Sequence, residues 1–97
     1  MGKSERYRNW TQPVISTTVT VGTTPTLLMA GATGTRTIYL HVIGNTVIYI
    51  GGATVTTTAG LATEKHTSPI PITLRDGDSL YGIVAAGTED MRVLRDN

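Results

Sequence analysis

No stretch of this 97-residue chain keeps apolar residues at helical spacing for longer than one turn. Short runs of β-branched and aromatic residues appear instead, cut by Gly, Pro, Asn and Asp at intervals of roughly eight to twelve residues. Such runs suit a pleated, half-buried surface, and that punctuation leaves no room for a helical core. Residues 14–21 (VISTTVTV) read as a strand, and Gly22-Thr23-Thr24-Pro25 as a turn. Residues 26–30 (TLLMA) form a short strand before the turn Gly31-Ala32-Thr33-Gly34.

The densest β signal lies in Thr37–Gly60, TIYLHVIGNTVIYIGGATVTTTAG. Gly44-Asn45 separates two apolar runs and predicts a tight hairpin with strands over 37–43 and 46–50, because Gly and Asn tolerate positive φ. Residues 53–57 read as a brief strand or a wide loop, and 61–68 as a polar loop. Pro69 and Pro71 flank Ile70 and suit an edge or a strand start rather than a central strand. Residues 72–74 then form a short strand, and Arg75-Asp76-Gly77-Asp78 a turn. Residues 79–85 and 89–95 complete the set, with Met91 and Val93 alternating against Arg92 and Leu94. The expected fold is all-β: a small antiparallel β-sandwich or jelly-roll-like barrel of about seven or eight short strands, with an extended N-terminal arm.

Composition narrows what such a domain does. The length allows one domain, placed over 14–97, with the arm over 1–13. Nineteen threonines keep exposed strand faces soluble without charge, and stiff χ1 angles favour strands. There is no Cys, no Phe and one Trp, so the core is built from aliphatic residues and is thin. Oligomerisation is a common remedy for a thin core, and a homo-oligomer is expected. Net charge is +1, too neutral for a dedicated nucleic-acid binder. No apolar run is long enough for a membrane-spanning helix. The polar start, MGKSERYRNW, does not read as a secretory signal.

The arm interleaves Arg6, Tyr7, Arg8 and Trp10, residue types that dominate interface hot spots. These four are the candidate partner-binding residues. Tyr39, His41 and Tyr49 are candidate oligomer or surface contacts. Tyr39 and Tyr49 are expected to face each other across the hairpin, as cross-strand packing or as an exposed sugar platform.

Catalytic chemistry finds no footing. Ser4, Ser16, Ser68 and Ser79 have no base and orienting group beside them in sequence. Two His without Cys do not make a zinc site, and His66 sits in a polar loop with Glu64 and Lys65. Asp76 and Asp78 bracket a turn and fall short of the six or more oxygens calcium takes. No catalytic, metal or cofactor-binding residue is assigned, and an enzyme is not expected.

Six short pieces stand in a suggestive order: Tyr49-Ile50-Gly51-Gly52, Val55-Thr56, Gly60-Leu61, Asp78-Ser79-Leu80-Tyr81, Gly87-Thr88 and Arg92-Val93-Leu94. In that order and spacing the segment Val47–Leu94 resembles small β-sandwich virion proteins of tailed bacteriophages, of the head-decoration and minor capsid type. The likeness covers about half the chain. It departs at Ala62–Pro71, where this chain carries a longer, Pro-flanked loop, and does not extend to residues 1–36. It implies a non-catalytic structural protein, made in the bacterial host cytoplasm, that cements the capsid from outside by binding the major capsid protein, as a homo-oligomer fitted to local symmetry axes, a trimer ahead of a dimer. The alternatives are a collar, connector or tail protein, and a carbohydrate-binding or adhesion module displayed on the virion.

Overall fold

The computed structural model describes residues 14–65 and 69–96. The arm expected over 1–13, with Arg6, Tyr7, Arg8 and Trp10, lies outside the described residues, as does His66. Eight strands follow one another: β1 (Val14–Val21), β2 (Thr26–Met29), β3 (Arg36–Val42), β4 (Ile48–Gly51), β5 (Leu61–Thr63), β6 (Ile70–Leu74), β7 (Leu80–Ile83) and β8 (Glu89–Asp96).

They form two four-stranded antiparallel sheets, ordered β1-β8-β3-β6 and β2-β7-β4-β5. The first strand pairs with the eighth, the second with the seventh, the third with the sixth and the fourth with the fifth. Every connection between successive strands except β4–β5 therefore crosses from one sheet to the other, the connectivity of a jelly roll. The expected all-β sandwich is what the chain forms.

Strand alternation builds the core. Ile38, Leu40 and Val42 of β3 face inward with Met91 and Val93 of β8, and all five are at most 1% exposed. Ile48 and Ile50 of β4 and Leu28, Leu80 and Val84 meet them from the second sheet. Gly82 belongs to this interior: a Cβ there would stand 3.1 Å from Ile48 Cγ2 and 3.2 Å from Leu28 Cδ1.

The expected hairpin over 37–50 does not form. β3 belongs to one sheet and β4 to the other, and residues 43–47 cross between them. Positive φ among the described residues is confined to Gly34, Gly77 and Gly87, so Gly44-Asn45 does not adopt the tight-turn conformation. Distant groups shape the crossing instead. Ile43 N–H donates to Asp90 O (3.2 Å), and the Glu89 carboxylate accepts from Gly44 N–H and Thr46 N–H, both at 2.9 Å. A Cβ at Gly44 would meet Glu89 Oε1 at 2.5 Å, so a side chain there would oblige the carboxylate to shift.

A second correction falls at 61–63. The polar run expected as a loop opens with β5, which pairs with β4 from Ile48↔Thr63 to Ile50↔Leu61. Thr63 is 2% exposed, and its hydroxyl donates to Ile48 O at 2.6 Å. That bond satisfies a polar group that burial would otherwise leave costly. Residues 53–57 form turns rather than a strand. The Pro-flanked β6 is an edge strand, as its prolines predict.

Candidate interaction surface

The outward side chains of the first sheet fall into registered rows. Ser16, Leu94, Tyr39 and Pro71 lie side by side across β1, β8, β3 and β6. Thr18, Arg92 and His41 form the neighbouring row. Ser16, Tyr39, His41, Pro69, Arg92 and Leu94 together line a depression of about 320 Å³. Its floor is mainly aromatic and aliphatic, with Arg92 and His41 as its ionisable groups. Elsewhere on this face hydroxyls satisfy one another or a carboxylate: Thr37 and Thr73 at 3.0 Å, and Thr20 donating to Asp90 Oδ1 at 2.8 Å.

Two of the three predicted surface residues, Tyr39 and His41, thus share one site. Tyr49 does not. It points out from the second sheet, in register with Ile83 and Ala62. The expected Tyr39–Tyr49 facing pair is absent because β3 and β4 lie in different sheets, so a sugar platform built from both rings is excluded.

Part of the second sheet's outer face, around Gly51 and Tyr49, is covered by its own chain, while Leu27 on the same face is 45% exposed. The loop over 52–60 folds back so that Val55, 8% exposed, rests against the outer side of Gly51. A Cβ on Gly60 would stand 2.8 Å from both Val55 Cγ2 and Tyr49 Cβ. Bonds from Val55 N–H to Gly52 O (3.0 Å) and Gly60 N–H to Thr56 O (2.8 Å) hold this flap.

Sequence reasoning missed two charged residues that fasten opposite ends of β3. Arg36, at its first residue, donates through Nη1 to Ala32 O (2.8 Å) and Gly34 O (3.0 Å), and through Nη2 to Asp78 O (2.7 Å). Its Nε is buried without a partner. This guanidinium joins the β2–β3 and β6–β7 loops. Asp76 joins them again by accepting from Gly34 N–H at 2.7 Å. At the other end, Glu89 accepts from Gly44, Thr46 and Asp90 N–H groups. These bonds, led by the one from Thr46, hold its carboxyl below the ordinary glutamate range, although desolvation works against them. Neither residue has a local signature; each acts on loops more than forty residues away in sequence or through a turn it does not belong to.

The arrangement offers little for covalent chemistry. Ser16 and His41 line the same depression, but β8 lies between their strands, which separates them by about two strand spacings, roughly 9.6 Å. That is beyond hydrogen-bond reach. Asp76 and Asp78 are engaged by backbone N–H groups of Gly34 and Arg75. No group of three or more His, Asp or Glu is placed to hold a metal among the described residues. Comparison with known proteins gives no match: no family model, curated protein or solved structure is similar to the chain.

Proposed function

We propose that this chain is a non-catalytic structural protein of a tailed-phage virion, one that decorates the capsid exterior by binding the major capsid protein. The observation that carries this reading is the open outer face of the first sheet. Ser16, Tyr39, Leu94 and Pro71 present area and shape, with Arg92 and His41 at one side. A shell-binding module works through such contact, repeated over many copies, and avidity multiplies a weak single contact. The order of short motifs between Val47 and Leu94 supports the same class. The thin aliphatic core supports a homo-oligomer.

Co-sedimentation with phage heads stripped of this protein tests the assignment. The unmodified chain is expected to pellet with heads, Tyr39→Ala and Leu94→Asp to remain in solution, and Tyr49→Ala to bind as before. Binding by all four chains would place the contact elsewhere. Failure of the unmodified chain to pellet would refute decoration.

A further inference from the structure

A sandwich has four edge strands, here β1 and β6 in one sheet and β2 and β5 in the other. Edges invite pairing with other chains, and proteins guard them with proline, charge, bulges or brevity. Three of the four carry such a guard. Pro71 lies within β6 and Pro69 precedes it. β5 has three residues. β2 has four, with a register shift between Leu27 and Met29. β1 has none. It runs eight residues, VISTTVTV, without proline or charge, and pairs with β8 in unbroken register from Val14↔Asp96 to Val21↔Glu89.

The inner face beside this edge is incompletely covered. β2 is half as long as β1, so Ile15, Thr17 and Val19 face inward yet are only half-buried. Thr17, Val19, Leu28, Met29 and Arg36 line an open cleft of about 660 Å³ between the two strands. A strand added beside β1 would lie along this cleft.

We infer that the free edge of β1 pairs antiparallel with β1 of a second copy across a two-fold axis. Charge selects this occupant. Arg36 and Arg95 line the cleft beside the edge, so a segment such as residues 1–13, which carries Arg6 and Arg8, would set like charges against them, whereas a second β1 brings no charge. An isologous contact needs a self-complementary patch, and a uniform run of Ile, Val, Thr and Ser provides one. The C-terminal end of β1 is occupied by the turn to β2, where Gly22 N–H donates to Thr26 Oγ1. The axis therefore falls toward the strand's first half, at Thr17. Ile15 then lies opposite Val19 of the second copy, both over the cleft, and Thr17 opposite itself. The product is one eight-stranded sheet whose two outer faces, each with Tyr39 and Leu94, stand side by side. The edge favours assembly in twos where the virion resemblance favours threes.

The absence of cysteine makes the test direct, because a single introduced Cys can bridge only to another chain. Sedimentation of the unmodified full chain is expected to give a dimer mass. Thr17→Cys is expected to cross-link into a covalent dimer on mild oxidation or with a short bis-thiol reagent, and Thr73→Cys on the guarded β6 edge to stay monomeric under denaturing conditions. Ser16→Lys and Ser16→Glu chains are each expected to shift toward monomer, and an equimolar mixture to return to dimer. A monomeric unmodified chain overturns the inference. So does a dimer or trimer in which Thr17→Cys fails to cross-link and the charge pair does not discriminate. None of these readouts uses phage particles, so the inference fails or stands apart from the decoration assignment.

Discussion

The two sheets bury matching aliphatic inner faces and treat their outer faces in opposite ways. The second sheet folds the loop over 52–60 back on itself, with Val55 seated against Gly51 and Gly60 against Tyr49. Among the described residues no such flap lies over Tyr39, His41, Arg92 and Leu94 of the first. One face is partly covered by its own chain, and the other is the face we propose makes contacts. Substitutions should therefore separate cleanly: changes on the second sheet's outer face cost stability, and changes on the first cost binding.

The largest effect belongs to the interior both faces share. Ile48 is fully buried, and Ile48→Ala should cost about 2–5 kcal/mol through lost burial and the cavity left behind. Chemical denaturation measures this, and a loss under about 0.5 kcal/mol would mean that Ile48 does not face the core. Next is Gly60→Ala. The new Cβ would meet Val55, Tyr49 Cβ and Thr56 O, at 2.8, 2.8 and 2.9 Å. Overpacking of this kind costs about 1–3 kcal/mol. Denaturant midpoints should fall while head binding by the folded protein is retained; an unchanged midpoint would show that the flap is loose.

Glu89 sharpens the comparison because its action depends on pH. Its carboxyl is held below the ordinary glutamate range, chiefly by the Thr46 N–H. The folded state thus binds its proton less readily than the unfolded chain. The stabilisation is complete above the unfolded value, about 4.3, and fades as pH falls through the lower folded one. Glu89→Ala should cost about 1–2 kcal/mol near neutral pH, from hydrogen bonds no longer made. The gap between the two proteins should narrow below about pH 4. A gap independent of pH would show that the carboxylate charge plays no part. The smallest effect on stability is expected at the open face. Leu94→Thr should change stability by no more than about 0.5 kcal/mol, as exposed substitutions usually do, while weakening attachment to heads. A larger loss of stability would mean that this face, too, is completed from within.

Much of this architecture is legible in sequence, and the exceptions have a common cause. Alternation sets Ile38, Leu40 and Val42 on one face of their strand and Met91 and Val93 on one face of theirs, and all five are buried. The prolines mark β6 as an edge, and Asp76-Gly77 marks a turn in which Gly77 takes φ 83°. The β3–β4 crossing reads as a hairpin because Gly44-Asn45 has the local chemistry of one. What redirects it is Glu89, which is remote in sequence. β5 hides in a polar run because three residues carry too short a pattern, and the buried Thr63 bond that anchors it is tertiary. For the surface, residue type picks out Tyr39 and His41. Which residues join them depends on β8 lying between β1 and β3, a matter of sheet order that no local pattern contains.

The central claim, that this chain decorates a tailed-phage capsid, is tested most directly by immunogold electron microscopy of virions from its source. Antibody against the folded domain is expected to label the whole capsid surface, at many sites per head. Label confined to the neck or tail, or no label on any particle, would contradict decoration of the capsid.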